Sequence, residues 1–431
     1  MIKRYIRESI KYLLRSKPFI RKYINEIERM YVMTPAEIKE RNEKEFLKIF
    51  RKAYDKSTFY NELYKNNGIK KEDIEKIEDI KKLPIISKDM FRNNPENLLT
   101  KSKAGLIKAH TSGTSGTPLT VYENWKSIWR EQAYFYCYRK RCGFTYGQKM
   151  VSLRGNLDKK STSLFIHLSN TLYLSSFNIN ENTIEKYYKK ILKHSPVAIE
   201  GFPSSLYSLC LLFNDKGYKC RIPLCFTSSE TMYDYQRSYI EKTLHTQIYD
   251  HYGSTERTIR LSETLDHSGY YEDPGYSINE YENDGIITTS LINDAFPLIR
   301  YKMNDLIELN EKWENSNSIT SPRIKKINGR IISYIIGKDD TRYSDSALTF
   351  IFKSVPHVRM AQFVQDKKGE VNINIVPENG FNDQDKQIII DMTEQKIGLS
   401  NMDININLIE NNDIVYTSRN KLSLVVNNIN K

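Results

Sequence analysis

Hydroxyl side chains and two glycines are interleaved in the run His110-Thr111-Ser112-Gly113-Thr114-Ser115-Gly116-Thr117-Pro118. Glycine lets a backbone turn sharply and bring its amide N–H groups close to an anion. The hydroxyls add donors for phosphate oxygens. No Gly-Lys-Ser/Thr follows, so this is not a Walker loop; read alone, such a cluster also fits a surface turn. Four later segments carry further polar and charged groups: Tyr249-Asp250-His251-Tyr252-Gly253-Ser254-Thr255-Glu256, Phe296-Pro297-Leu298-Ile299-Arg300-Tyr301-Lys302-Met303-Asn304-Asp305, Ile327-Asn328-Gly329-Arg330 and Thr417-Ser418-Arg419-Asn420-Lys421. Cys137-x4-Cys142 and Cys220-x4-Cys225 do not have zinc-site spacing and lack a His/Cys cluster, so they read as buried structural thiols. The sequence has no His-Glu-x-x-His unit and no Gly-x-Ser-x-Gly elbow.

These segments need a scaffold. From about 105 to 330, short apolar runs alternate with helical patterns. Residues 150–153, 197–199, 224–226 and 247–249 read as strands, with helices at 181–194, 203–216 and 232–244 between them. That alternation predicts α/β layers. Antiparallel strands are expected at 276–278, 285–289 and 306–309, then a polar loop at 311–322. In the tail, Val371-Asn372-Ile373-Asn374-Ile375 and Ile404-Asn405-Ile406-Asn407-Leu408 alternate apolar and polar, with a helix near 382–397 between them. Residues 35–85 read as helices, opened by Thr34-Pro35-Ala36-Glu37 with a cap, a first-turn proline and an early acid. The expectation is an α/β fold. A large body with mixed sheets spans 1–330, mainly helical to about 100, and a small α+β lid spans 331–431, with a hinge near 330–334.

The order and rough spacing of the five polar segments resemble the adenylate-forming superfamily of acyl-CoA synthetases and related ligases. The resemblance is to phenylacetate–CoA ligases and their CapK-like relatives of capsular-polysaccharide biosynthesis. Tyr60-Asn61-Glu62-Leu63-Tyr64 and Leu83-Pro84-Ile85-Ile86-Ser87-Lys88 are similar to that branch's opening helices, so the likeness covers nearly the whole chain. It implies use of ATP and Mg²⁺ to join a small-molecule carboxylate to the α-phosphate, with release of pyrophosphate. The acyl group then passes to CoA, a carrier protein, an amine or a sugar. Carboxylate and phosphates are both negative, so the site must hold them together and neutralise the gathering charge.

The resemblance also assigns roles. Thr111, Ser112, Gly113, Thr114, Ser115, Gly116 and Thr117 would grip phosphate, with Thr117 standing where many relatives carry Lys. Glu256 would bind Mg²⁺, an ion that takes few protein carboxylates beside phosphate oxygens. Thr255 would touch the α-phosphate, and Tyr252, followed by Gly253 and Ser254, would lie against adenine. Ser229 and Glu230, after strand 224–226, would line the adenine pocket. Asp305 would accept from the ribose hydroxyls; Asn304 precedes it in place of the usual Gly. Arg330 matches the hinge arginine, while the acid expected three residues later is Ser333. Lys421 would bridge carboxylate and α-phosphate from the lid, with Asn420 replacing the usual Gly. Arg154 and His251 are further candidates for substrate contact.

Composition bounds the alternatives. The chain has 431 residues and a formal charge of 65 − 53 = +12, with cations spread along its length. No nucleic-acid motif appears, so no nucleic-acid partner is expected. No stretch approaches the ~18 apolar residues of a membrane span. No signal-peptide pattern opens the chain, and five cysteines make no disulfide framework, so a cytoplasmic protein is expected. The N-terminus concentrates Lys3, Arg4, Arg7, Lys11, Arg15, Lys17, Arg21 and Lys22 around Ile2, Ile6, Ile10, Leu13 and Leu14. The preferred reading is an amphipathic helix whose apolar stripe packs on the body; the other is a helix lying on an anionic membrane. Three rivals to an acyl-adenylate enzyme remain: an aromatic acyl-CoA ligase, nucleotidyl transfer to a hydroxyl, and a catalytically weakened scaffold near a membrane.

Overall fold

The structure, a computed structural model, describes residues 2–110, 119–153, 157, 162–310, 319–330, 334–344, 348, 350–352, 355, 357–398, 400–416 and 422–429. It opens with helices α1 (Ile2–Leu14), α2 (Lys17–Met30), α3 (Pro35–Lys56) and α4 (Thr58–Asn66). Thr34 caps α3 as its sequence predicts: its hydroxyl accepts from Glu37 N at 3.3 Å, and the Glu37 carboxylate accepts from Thr34 N at 2.8 Å. The helical reading fails beyond α4. Residues 71–82 form only short 3-10 turns, because Gly68 and Pro84 interrupt the pattern and Ile86 is pulled into a bridge with Tyr301. The Tyr60 hydroxyl accepts from Ile299 N at 2.9 Å and donates to Pro297 O at 3.2 Å. The opening motifs thus bolt the helices to the segment leading to Asp305.

The N-terminal stripe corrects the preferred expectation. Ile6, Ile10 and Leu13 face solvent, and the opposite side of α1 packs on the body. Tyr12 stacks on Tyr146 at 5.5 Å, Ser9 is buried, and Leu14 O accepts from Trp129 Nε1 at 2.8 Å. Aromatic rings with polar partners supply this contact in place of aliphatic burial.

The body continues through strands β1 (Ile107–His110) and β2 (Thr120–Glu123), helix α5 (Trp125–Arg141), and strands β3 (Met150–Leu153), β4 (Ser163–Ile166) and β5 (Thr171–Leu174). Next come α6 (Glu181–His194), β6 (Ala198–Gly201), α7 (Pro203–Asp215), β7 (Leu224–Ser228), α8 (Asp234–Leu244) and β8 (Gln247–Gly253). Strands β9 (Arg260–Glu263), β10 (Tyr270–Glu272), β11 (Ser277–Glu282), β12 (Gly285–Ser290), β13 (Tyr301–Met303), β14 (Asp305–Leu309) and β15 (Ile324–Arg330) follow. Among the described residues, ten strands form one sheet in the order β14-β15-β10-β9-β8-β7-β6-β3-β5-β4. Its centre, β5 to β8, is parallel; the flanking strands are antiparallel. Helix α5 covers one face through Tyr138, while α6, α7 and α8 cover the other. Parallel strands sandwiched this way read as continuous apolar runs, which is why 150–153 and 224–226 were legible. The carboxyl ends of β6, β7 and β8 share one edge, where such sheets bind ligands.

The tail holds β16 (Tyr334–Ile336), β17 (Arg342–Ser344), β18 (Val358–Lys367), β19 (Glu370–Pro377), α9 (Asp383–Ile397), β20 (Asp403–Leu408) and β21 (Val425–Asn427). Its four-stranded sheet runs β20-β19-β18-β21 over a core of its own that includes Ile335, Phe363, Ile373, Ile375 and Ile389. Met360, Val376 and Ile414 leave that core and join the apolar cluster around α7. Arg359 adds an ion pair to Asp215 at 2.7 Å. Helix α7 is buried nearly all round because it lies between sheet and tail.

Candidate functional site

Strand β8 runs through Gly253, so His251 and Tyr252 stand on its last residues, and Ser254, Thr255 and Glu256 form the turn beyond it. The Tyr252 hydroxyl donates to Asp305 Oδ2 at 2.8 Å. Asp305 opens β14 and is the ladder partner of Arg330, the last residue of β15. Three residues from three segments therefore meet at one corner of the sheet. Glu256 joins them from the turn: its carboxylate accepts from the Tyr301 hydroxyl at 3.4 Å. Ser254 Oγ is 3.1 Å from Thr258 Oγ1 and accepts from Thr258 N at 3.3 Å, closing the turn locally.

Residues 111–117 and Pro118 lie outside the described residues, but the strands that frame them do not. His110 and Thr120 are paired, with Thr120 Oγ1 3.2 Å from His110 Nδ1. Strand β2 ends at Glu123, whose carboxylate is paired with Arg257, the residue after Glu256. Arg257 also reaches Glu131 of α5 at 3.2 Å. Burial opposes the Arg257 charge, but Glu131 and Glu123 outweigh it and hold the guanidinium above its ordinary range. Arg257 has φ +55°, a left-handed backbone that a side chain of its size rarely adopts. These ion pairs hold the Ser-Thr-Glu turn beside the hairpin.

Two residues expected at the adenine pocket differ in setting. Ser229 is exposed, with φ +70°. Glu230 accepts from Ser204 N at 3.0 Å and Ser204 Oγ at 3.1 Å, so its carboxylate helps cap α7. Lys421 lies outside the described residues, as do Thr417, Asn420, Arg154 and Ser333. Tyr416 and Leu422 flank the tail segment and pair with each other, and Leu422 N is 3.5 Å from Ser204 Oγ. The base of that segment thus meets the body at the carboxyl ends of β6 and β7. Among the described residues, no group of three or more His, Cys, Asp or Glu could hold a metal. A half-buried carboxylate at Glu256 fits an ion completed by phosphate oxygens.

Beneath this corner is a buried polar network that the sequence reading missed. Asp250 accepts from Thr227 Oγ1 at 2.7 Å and Tyr270 OH at 2.8 Å, and its backbone N–H donates to Glu263 Oε2 at 2.7 Å. Arg237 pairs with Glu263 at 2.7 Å. Burial and then Glu263 push the Asp250 carboxyl up to about 6, against the two hydroxyls and Arg237. On the other face of β8, the buried His251 ring meets the edge of Phe135 at 4.9 Å, and Arg260 lies over the Phe135 face at 4.2 Å. All five cysteines are buried and unpaired.

This architecture is that of the adenylate-forming ligases. A 2-hydroxyisobutyryl-CoA ligase in the postadenylation state, complexed with R3-HIB-AMP, superposes with a TM-score of 0.74 at 14% identity, covering 93% of this chain and 91% of that one. The same ligase in the thioesterification state, with 2-HIB-AMP and CoA, superposes at 0.57. Within that architecture the chain is similar to the CapK and phenylacetate–CoA ligase branch. Residues 335–428 match the CapK C-terminal domain. Protein CapK of Staphylococcus aureus is 26% identical over 389 residues, covering 86% of this chain and 84% of that protein. The phenylacetate-coenzyme A ligase of Pseudomonas putida is 24% identical over 284 residues, 60% of this chain and 63% of that one.

Proposed function

We propose that this chain uses ATP to convert a carboxylic acid into an acyl-adenylate and then passes the acyl group to an acceptor. The observation that carries the reading is the meeting of Tyr252, Asp305 and Arg330 at one corner of the sheet, with Glu256 on the adjoining turn. Tyr252 offers a flat ring for adenine, and Asp305 offers acceptor oxygens for a ribose diol. Thr255 and the 111–117 loop donate to phosphate. Mg²⁺ at Glu256 would neutralise charge on the phosphate oxygens. Lys421 brings a late cation from the tail, and Leu422 beside Ser204 supports that direction of approach. His251 and Arg154 belong to the carboxylate side of the site.

The acceptor in this reading is CoA, a carrier protein, an amine or a sugar, and the setting is surface-polysaccharide biosynthesis in the cytoplasm. The setting follows from the resemblance to the capsule branch, and five unpaired thiols support a reducing compartment. The phenylacetate-coenzyme A ligase likeness favours a second reading, in which an aromatic acid ends as its CoA thioester.

Pyrophosphate release across a panel of carboxylic acids, with and without CoA, tests both. One acid is expected to stimulate release, and Glu256→Gln to lose at least about 10-fold of it, the scale of one lost charge-assisted contact. No release with any acid, together with no binding of ATP or AMP by calorimetry, would leave the scaffold reading in its place.

A further inference from the structure

Ile6, Ile10 and Leu13 lie in one row along α1, spaced three and four residues apart. They are 50%, 49% and 47% exposed. The aliphatic row that should drive this helix onto the body is therefore turned away from it. Two more apolar side chains extend the surface. Phe19, at the start of α2, is exposed although its ring stacks on Trp129. Leu168 is exposed on the short turn that follows β4, and Tyr5 packs against His167 of the same turn.

The charges around the row have one sign. Residues 1–22 hold eight Lys or Arg and one acid, Glu8. Glu8 is already paired with Arg7 and Lys11, at 3.2 and 3.0 Å. Arg7, Lys11, Lys17, Arg21 and Lys22 are exposed. Helix α6 brings more cations to this end of the sheet, including exposed Lys186 and Lys193. A line of ring contacts, Tyr5–His167–Phe165–His194, links α1 to the end of α6.

We infer that α1 and the start of α2 form a docking face for an anionic lipid surface. The apolar row enters the boundary between headgroups and acyl chains, and the flanking cations meet the lipid phosphates. Among the described residues no helix is long and apolar enough to cross a membrane, so the contact is one of lying on the surface. A second copy of this chain fits the face poorly. A two-fold contact sets each residue of the face against the same face of its mate, so the cations would confront one another. This inference does not depend on the ligase reading, because none of its residues belongs to the nucleotide corner.

The test is co-sedimentation of the full chain with vesicles of phosphatidylcholine alone and with phosphatidylglycerol added. Binding is expected to be at least about 10-fold tighter with phosphatidylglycerol and to weaken in high salt, as cation–headgroup attraction does. Ile6→Ser/Ile10→Ser/Leu13→Ser should lose about 10-fold or more of that binding. Arg7→Gln/Lys11→Gln should lose several-fold and flatten the salt dependence. Circular dichroism melts and ATP binding should be unchanged in both variants, which separates docking from folding and from the nucleotide site. The inference is overturned if the parent chain does not pellet with anionic vesicles, or if the triple-serine variant pellets as the parent does. It is equally overturned if sedimentation velocity without lipid shows a dimer that the triple-serine variant dissolves.

Discussion

At the scale of single residues, Asp305 is the most exacting test of the proposed nucleotide corner. One of its oxygens already accepts from Tyr252 at 2.8 Å. Asp305→Asn keeps the size but replaces an acceptor with a donor, so a ribose diol loses a partner. A hydrogen bond to a charged group is worth about 1.5–3 kcal/mol, so ATP affinity measured by calorimetry should fall about 10- to 100-fold. Tyr252→Phe keeps the ring face and should cost less than about 10-fold. Asp250 makes a separate prediction. Its folded carboxyl is raised from 3.8 to about 6 by burial and Glu263. Between those values the native chain holds a proton that the unfolded chain has released, so stability from this group increases as pH falls through 6 and is lost as pH rises. The full change is worth about 3 kcal/mol, of which lowering the pH from 7.5 to 5 should show about 1 kcal/mol. In urea denaturation at pH 7.5 and 5, the parent should gain on Asp250→Asn by that order as the pH is lowered; a constant difference between the two would contradict the assignment. Tyr252, Glu256 and Asp305 could be proposed together because residue type and spacing survive in sequence, and the fold brings their segments to one corner. Asp250 was not, although it lies in the same quoted segment, since its partners Thr227, Tyr270 and Glu263 come from three other strands.

At the scale of elements, the turn after β8 depends on one strained residue. A left-handed backbone costs a residue with a Cβ about 1–2 kcal/mol, and Arg257 bears this at φ +55°. Its ion pairs with Glu123 and Glu131 hold the conformation, and those carboxylates are only 6% and 8% exposed. Arg257→Gly relieves the backbone but leaves two nearly buried acids without this partner. Removing one member of a buried ion pair costs about 3–5 kcal/mol, so the net loss in urea denaturation should be about 2–3 kcal/mol. Adding Glu123→Gln should recover part of it; a double variant no more stable than Arg257→Gly would show that the pair does not hold the turn. The same scale shows what periodicity can and cannot reveal. The parallel strands and the helices between them followed from apolar runs and helical spacing, and α3 from its cap. Strands β9 and β10 escaped notice because Arg260, Glu263 and Glu272 interrupt their apolar pattern, and Arg260 and Glu263 are buried only because ion pairs satisfy them. The N-terminal stripe misled because periodicity identifies an apolar face without saying what that face meets.

At the scale of the whole molecule, the proposed reaction raises the question of whether the tail must change position. One ligase superposes at 0.74 in its postadenylation state and at 0.57 in its thioesterification state, although its fold is the same in both. This chain superposes better on the former. Among the described residues the tail's contacts with the body include Met360, Val376 and Ile414 in the cluster around α7, with Ile409, Tyr416 and Leu422 packed against it, Leu422 N at 3.5 Å from Ser204 Oγ, and the Arg359–Asp215 ion pair at 2.7 Å. The ion pair is partly shielded from solvent, with Arg359 15% and Asp215 42% exposed, and the neighbouring contact is apolar. If adenylation and acyl transfer need different tail positions, fixing this one should separate them. Arg359→Cys with Asp215→Cys gives two thiols at the rim of the interface. The native cysteines should not compete, because burial pushes Cys137 and Cys142 up to about 12 and Cys220 up to about 11, far from the reactive thiolate. After a short bismaleimide joins the new pair, acid-dependent pyrophosphate exchange should persist while transfer to the acceptor is lost, with the unlinked double variant retaining both. Loss of exchange would mean that adenylation needs a tail position other than this one. Full transfer in the linked protein would mean that the tail completes the whole reaction without turning, a result for which Ser333, in place of the expected hinge acid, would supply the first explanation to examine.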